Sequence, residues 1–228
     1  MVPLWAHLAQ RCALHLSGAS VRRLLWTLGY RWRRPRHCLP MDPAAAARMA
    51  ALCRRVVQAP AEAVLLCQDA CDLHLLPVLR AMWMRRGQQA RVPTPGTNRT
   101  RAVVGALEWE TGRWLYAITE RKRSTAFRAF LEHLLAAYPD RPVLVVVDNA
   151  SIHTARAVRG WLTAQPRLTL LFLPSCSGHA ENPVEQVWWR LNGHVAATRR
   201  YGSRDALVTA VHAFFAACTP ADARRLAA

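Results

Sequence analysis

The chain has 228 residues, which suits one substantial domain with a smaller segment, and 52% of them are hydrophobic. Lysine and arginine number 31 against 14 aspartates and glutamates, and the formal net charge of +17 favours a polyanion or an anionic membrane surface as the partner. The seven cysteines are never spaced as C-x-x-C and no stretch approaches 18 apolar residues, so we expect no structural zinc site, disulfide framework or membrane span.

The composition also indicates where the protein acts. The cysteine pattern is typical of a reducing compartment, and the first residues lack the basic flank and long apolar run of a signal peptide. Nearly all basic side chains are arginines, which suit bidentate contact with phosphate, and the single lysine is Lys122. We therefore expect a cytoplasmic, nucleoid-associated protein that binds nucleic acid and has no membrane partner.

The N-terminal segment, residues 1–36, has the pattern of two short helices. Residues 4–16 can form an amphipathic helix, and Ser17 provides an N-cap for a second helix that stops at Gly29. Two tightly joined helices with arginines on the second fit a helix-turn-helix, although a plain helical hairpin is the alternative. The following basic run fits an extended arm on phosphates, or a solvated charge run. The candidate DNA-binding residues are Arg22, Arg23, Arg31, Arg33, Arg34 and Arg36.

Residues 37–228 alternate strand and helix patterns. The spacing predicts one antiparallel hairpin around Glu110-Thr111-Gly112, then parallel strands joined by helices, which is a mixed α/β sheet flanked by helices on both faces. The predicted strands are 63–67, 101–109, 113–119, 143–147 and 168–173. The predicted helices are 43–58, 125–138, 154–164, one that begins at Pro183, and a final one from Ser203 to Cys218. Asp42 and Ser124 are the expected caps of the first two helices.

The central strand of this pattern is residues 143–147, five apolar residues that read as a strand buried on both faces. It ends at Asp148, and a strand end holds a carboxylate rigidly, which suits chemistry. The alternative is that Asp148 only starts a turn or caps the next helix. Partners elsewhere in the chain decide between these interpretations.

Two further acids occupy comparable places. Asp69 directly follows the strand 63–67, and Glu185 lies in the first turn of the helix after the strand 168–173. Because adjacent parallel strands end at one edge of the sheet, we expect Asp69, Asp148 and Glu185 to converge there. Asp72 and Glu181 are alternatives for the first and third positions. Individually, Asp69 could accept a backbone amide and Glu185 could pair with a nearby arginine or complement the helix dipole.

Three crowded carboxylates repel one another unless a cation neutralises them. Oxygen ligands favour Mg²⁺ or Mn²⁺, whereas zinc prefers His or Cys. Two such ions would suit phosphodiester displacement on DNA, which the positive charge would attract. We therefore predict a metal-dependent site of Asp69, Asp148 and Glu185.

Other residues near these acids have two interpretations each. His153 could contact DNA phosphate or orient a ligand, and a satisfied structural histidine is the alternative. Trp83, Trp188 and Trp189 are expected in the core rather than stacked on bases. Phe127, Phe130, Leu131, Leu134 and Leu135 are expected to face inward from the helix 125–138.

The motifs D-N-x-x-x-H from Asp148 to His153 and N-P-x-E-x-x-W from Asn182 to Trp188, in this order, are fairly specific. With Leu173-Pro174 between them, they resemble the DDE transposases of bacterial insertion sequences in the Tc/mariner superfamily. The region from Gln68 to Leu107 is similar to that family's first-acid region, and residues 17–35 resemble the end of its helix-turn-helix domain and linker. The resemblance covers most of residues 10–215.

The resemblance implies an RNase H-like fold and a Mg²⁺-dependent cut-and-paste reaction. Water would cut at the element ends, and the freed 3′-hydroxyl would attack target DNA. By motif match, Asp69, Asp148 and Glu185 would be the metal ligands, with Asn149, His153 and Asn182 in supporting roles. The implied partners are the terminal inverted repeats and target DNA, with a homodimer on paired ends.

The chain departs from the family pattern in three places. Ala70 stands where the family usually has Glu, and the loop over residues 175–181 has a different sequence from the family's. The N-terminal DNA-binding helices look short, as expected from a truncated reading frame or an upstream start. The short N-terminal segment and Ala70 motivate an alternative, a decayed transposase that binds DNA without cutting it. Another RNase H-like nuclease, such as a resolvase, is a further alternative.

Overall fold

A computed structural model describes residues 4–32, 42–79, 81, 83–94, 96–174, 182–197 and 199–227. None of the helices in these ranges is long and apolar enough to cross a membrane. The elements in chain order are α1 Leu4–Cys12, α2 Gly18–Thr27, α3 Ala45–Val57, β1 Val64–His74, β2 Thr100–Glu108, β3 Trp114–Thr119, α4 Ser124–Ala137, β4 Val143–Val147, α5 Arg156–Leu162, β5 Leu168–Phe172, α6 Val184–Leu191, a π-helical turn Asn192–Ala196, α7 Arg204–Ala217 and α8 Pro220–Ala227.

The chain divides into two compact units, Met1–Leu39 and Pro40–Ala228. In the first unit α1 and α2 form as predicted, although α1 ends at Cys12 rather than at residue 16. The Ser17 hydroxyl accepts the Ser20 amide at 3.0 Å, and Gly29 takes a positive φ of 85° after α2, so both predicted helix signals are confirmed.

The candidate DNA-binding arginines of this unit are partly described. Arg22 and Arg23 are exposed on α2. Arg31 donates from its guanidinium to the carbonyls of Trp26 at 3.0 Å and Tyr30 at 2.9 Å. Arg33, Arg34 and Arg36 lie outside the described residues. The DNA-binding role of all six arginines stays a prediction.

The second unit contains the predicted mixed sheet. Its order is β3-β2-β1-β4-β5, in which β1, β2 and β3 are antiparallel neighbours and β1, β4 and β5 run parallel. The strand β4 has the predicted bounds, lies between two neighbours and is buried at every residue. The hairpin of β2 and β3 around Gly112, with φ at 78°, is also confirmed.

The prediction that the first strand ends before Asp69 is wrong. β1 continues to His74, because β2 pairs with it antiparallel from Leu66 to His74. The parallel ladder with β4 stops much earlier, at the pair of Cys67 and Val146. Asp69 therefore lies inside a strand, at the point where the parallel part of the sheet ends.

Helices cover both faces of the sheet and make two cores. On one face, Cys67 and Val146 pack with α6 and α7. On the other face, Leu66 and Val145 pack with α4 and α5. The five residues predicted to face inward from α4 are all buried, which confirms its amphipathic pattern.

Several helix ends differ from the predictions. Ser124 is the first helical residue of α4, and Arg123 holds the N-cap position without a side-chain bond. Pro183 is the N-cap of α6 rather than its first residue. Ser203 does cap α7, accepting the Ala206 amide at 3.1 Å, but α8 follows it and was not predicted. Single-sequence patterns define helix ends poorly because the last turns depend on local hydrogen bonds.

Two of the tryptophans expected in the core are on the surface. Trp83 is fully exposed and Trp189 is 62% exposed, whereas Trp188 is buried. Consecutive residues on a helix point about 100° apart, so α6 can turn only one of its two adjacent indoles squarely toward the sheet. Trp188 occupies that position.

Gly105 provides a test of this packing. A β-carbon at Gly105 would collide with the Trp114 ring and lie 2.9 Å from Cη2 of Trp188. We expect Gly105→Ala to destabilise the fold by about 1–3 kcal/mol, the usual cost of overpacking a core, as measured by urea unfolding. Gly160→Ala is the matched control, because among the described residues no atom beyond its own stretch of helix lies within 4 Å of its β-carbon position, and alanine favours helix. Equal stability of the two variants would contradict this account.

Candidate active site

The strand register brings Asp69 and Asp148 to the same level of the sheet. Cys67 pairs with Val146 in the parallel ladder, so two further residues along each strand lead to Asp69 and to Asp148. Side chains alternate between faces along a strand, and Asp69 therefore shares the face of Cys67, on which α6 packs. The edge where β4 ends thus presents two carboxylates toward the helix that carries Glu185.

Asp148 is held by the turn that follows β4. Its Oδ1 accepts the Ala150 amide at 2.9 Å, as the turn-starting interpretation predicts. The same oxygen lies 2.8 Å from Nδ1 of His153, whose side chain is buried against the ring of Phe127. His153 therefore orients Asp148 from within the core.

Asn182 ties the beginning of α6 to β1. Its Nδ2 donates to the carbonyl of Gln68 at 3.0 Å, and its Oδ1 accepts the Val184 amide at 3.2 Å. The carbonyl of Asn182 also accepts the Glu185 amide at 3.1 Å. These bonds place the first turn of α6, with Glu185, beside the residue that precedes Asp69.

A second bond from α6 reaches Asp69 itself. Nε1 of the buried Trp188 donates to Oδ2 of Asp69 at 2.9 Å. The indole packs edge-on against Trp114, with ring centroids 5.3 Å apart, over the space left by Gly105, which is paired with Asp69 across β1 and β2. The site carboxylate is thus anchored by the aromatic core.

The three predicted acids line one cavity of about 750 Å³. Asp72, Lys122 and Trp189 also line it. Asp72, the alternative first acid, is exposed and lies 3.4 Å from Nζ of Lys122, whereas Glu181, the alternative third acid, lies outside the described residues. Asn149 joins the ends of β4 and β5, because its Nδ2 donates to the carbonyl of Leu173 at 2.6 Å.

The pKa of Asp69 reflects this crowding. The pKa of Asp69 is raised from 3.8 to about 6, mainly by burial and also by the negative charges of Glu185 and Asp148, against lowering by the Ala70 backbone amide and the Trp188 indole. The charges of both other acids therefore act on the Asp69 carboxyl. Burial also raises the pKa of Cys67 and of Cys71 to about 12, so neither thiol is a reactive group at neutral pH.

These residues fit a divalent cation in their chemistry. All three acids offer oxygen ligands, and a cation would relieve the repulsion that raises the pKa of Asp69. Within the described ranges, no three His, Cys, Asp or Glu side chains are already arranged as a metal-binding group. The carboxylates of Asp69 and Asp148 are held in place by Trp188 and His153, respectively.

The sequence patterns missed three features of this site. Trp189 was expected in the core, Lys122 carried no motif, and the hydrogen bond from Trp188 to Asp69 depends on tertiary packing. The available signal was the pair of adjacent tryptophans after Glu185, since one helix face cannot bury both.

Residues 64–208 match the family model described as DDE superfamily endonuclease. The chain belongs to this family. This DDE chain is also similar to the insertion element IS630 uncharacterized 39 kDa protein of Shigella sonnei, with 32% identity over 207 residues. The alignment covers 90% of this chain and 60% of that relative, so the chain spans less than two thirds of the relative's length.

Solved structures share the fold of this DDE chain. The Mos1 transposase paired-end complex with left transposon end has a TM-score of 0.68 at 18% identity, covering 97% of this chain and 69% of that chain. The Mos1 mariner paired-end complex with Mn has a TM-score of 0.68 at 17% identity, covering 98% and 70%. These structures confirm the RNase H-like fold, and the match of residues 64–208 to the family model confirms the resemblance to the DDE family.

The raised pKa of Asp69 predicts a pH-dependent stability. Because the folded pKa of about 6 exceeds the unfolded value of 3.8, this carboxyl stabilises the fold below about pH 4 and loses that contribution as the pH rises through about 6. We expect Asp69→Asn, unfolded by urea in EDTA, to be more stable than wild type near pH 7, by up to roughly 3 kcal/mol. The difference should shrink toward pH 4.

Asp140→Asn is the control for this measurement, because it removes an exposed carboxyl outside the cavity. A gain that is the same at both ends of the pH range would show that the effect of Asp69→Asn does not come from its titration.

Proposed function

We propose that this protein is a DNA transposase that cuts and joins strands at insertion-sequence ends by phosphodiester hydrolysis and transesterification. The observation that carries the proposal is the convergence of Asp69, Asp148 and Glu185 on one cavity in a chain of net charge +17. An acidic cavity in a cationic protein attracts a polyanion to its surface but accepts a phosphate in the cavity only with additional positive charge. The family membership of residues 64–208 supports the same reaction.

The additional charge would come from Mg²⁺ or Mn²⁺, and we propose two ions. Asp69, Asp148 and Glu185 would hold them through oxygen ligands. Held by these residues, two divalent ions would supply activation of a hydroxyl nucleophile and stabilisation of the leaving oxygen in phosphodiester displacement. A Mos1 paired-end complex that shares this fold contains Mn, which supports the choice of ion.

The chain's own residues position the acids for this reaction. His153 holds the Asp148 carboxylate from the core, and Trp188 holds Asp69. Asn182 fixes the helix of Glu185 to β1. All three restraints come from buried side chains, so the acids are presented by a rigid edge rather than by a flexible loop.

The DNA partners in this proposal are the terminal inverted repeats and the target. Arg22, Arg23 and Arg31 on the N-terminal unit, with Arg33, Arg34 and Arg36, would contact phosphates. A homodimer on paired ends is part of the proposal, supported by the paired-end complexes among the structures of similar fold.

Ala70 favours a second candidate, a protein that binds DNA without cleaving it. Against this candidate, the contribution of Ala70 to Asp69 is a backbone N–H, which a glutamate at that position would supply equally. All three acids also line the cavity in this chain, which carries Ala70.

Cleavage tests the proposal directly. Duplex oligonucleotides carrying the terminal sequences of the element that encodes this chain should be cut in Mg²⁺ or Mn²⁺ and not in EDTA. Asp148→Ala, Asp69→Asn and Glu185→Gln should each lower the rate by roughly 100-fold or more, because each removes a charge that would hold the ions. Gel electrophoresis of labelled strands measures the products.

Asp140→Asn should cut at the wild-type rate, since its carboxyl is exposed and outside the cavity. Equal cutting by wild type and Asp148→Ala would refute the assignment. Salt-sensitive DNA binding without metal-dependent cutting would support the second candidate instead.

A further inference from the structure

The candidate cavity exposes an indole beside its carboxylates. Trp189 is 62% exposed and lines the cavity together with Asp69, Asp148 and Glu185. It follows Glu185 by four positions on α6, a spacing that puts two side chains on the same side of a helix. An indole that is largely exposed to solvent and lines a polar cavity is suited to stacking on a flat ligand.

The same cavity contains the single lysine of the chain. Lys122 lies between β3 and α4, and its Nζ is 3.4 Å from Oδ2 of Asp72. Both side chains are partly exposed, and an ion pair of this kind contributes little to stability. The ammonium can therefore exchange Asp72 for a phosphate at small cost, and its flexible stem allows it to follow the phosphate.

We propose that this cavity binds one unpaired nucleotide beside the scissile phosphodiester, with its base stacked on Trp189 and its phosphate paired with Lys122. The inference rests on the proposed function, since it deepens the substrate class of the same site. A cavity of about 750 Å³ has the size of a site for one small molecule. A paired base has both faces covered by its neighbours, so stacking on an indole requires a base that has left the duplex stack.

Stacking of this kind does not distinguish one base from another, because every base has a flat aromatic face. The cavity therefore selects for an unpaired strand rather than for a sequence. Frayed or mismatched DNA near the cut should be preferred over a fully paired duplex.

The test compares single-stranded and duplex DNA on the intact chain. A fluorescein-labelled oligothymidylate of about 12 nucleotides, and the same strand annealed to its complement, are titrated by fluorescence anisotropy in Ca²⁺, which oxygen ligands also bind. Because base–aromatic stacking is worth about 1–3 kcal/mol per base, Trp189→Ala should weaken single-strand binding by about tenfold. Duplex binding should change by less than about twofold.

Two variants control for the loss of an aromatic side chain. Trp189→Phe should restore most of the single-strand affinity, since a smaller ring still stacks. Trp109→Ala removes an indole that is 53% exposed and lies after β2, where its amide donates to the carbonyl of Leu65 near the beginning of β1. This variant should bind both probes like wild type.

Lys122→Met tests the phosphate contact separately. It should weaken single-strand binding and lower the slope of log affinity against log salt by about 0.7, the value for one phosphate contact on a single strand. Trp189→Ala should leave that slope unchanged. An unchanged slope in Lys122→Met would overturn the phosphate contact.

The stacking role is overturned if Trp189→Ala weakens both probes equally, weakens neither, or behaves like Trp109→Ala. Failure of this inference is distinguishable from failure of the proposed function. Metal-dependent cutting at the element ends with no effect of Trp189→Ala on single-strand binding would reject only the nucleotide subsite. Single-strand binding that depends on Trp189, without any metal-dependent cutting, would reject only the transposase activity.

Discussion

Two hydrogen bonds, one from the residue before the N-cap of α6 and one from within α6, tie this helix to β1 and position its glutamate beside Asp69. Asn182 donates to the carbonyl of Gln68, and Trp188 donates to the carboxylate of Asp69. Both donors are buried and belong to the same short stretch of chain, so the helix has one position along the strand. Glu185 lies between these two anchors and is carried to the edge where β4 ends.

The same arrangement brings three negative charges close together. Three carboxylates line one cavity, and burial together with the charges of Glu185 and Asp148 raises the pKa of Asp69 to about 6. Structures that retain such repulsion usually do so at functional sites. Trp114, Trp188 and Phe215 pack together, and Trp188 holds the Asp69 carboxylate by a hydrogen bond. The stability of the fold and the geometry of the site therefore depend on the same side chains.

The sequence was informative where a pattern is local. Five consecutive apolar residues identified β4 with its bounds, the amphipathic spacing identified the buried face of α4, and Ser17 and Ser203 were recognised as helix caps. The sequence was misleading where contacts with distant residues determine the length of a strand or the exposure of a side chain. The strand β1 extends past Asp69 because β2 pairs with it, and the residues after Asp69 contain no apolar run that would predict this pairing. The exposure of Trp189 likewise depends on which side of α6 meets the sheet.

The sequence by itself determined the order of strands and helices, the identities of the three acids as candidates, and the motifs that relate the chain to the DDE family, because periodicity and spacing are properties of consecutive residues. Only the tertiary structure decided that Asp69, Asp148 and Glu185 line one cavity, that Trp188 and His153 hold two of them, and that Lys122 and Trp189 face the same space. The physical reason is that these relations join residues far apart in the chain, through strand register and through the packing of α6 on one face of the sheet.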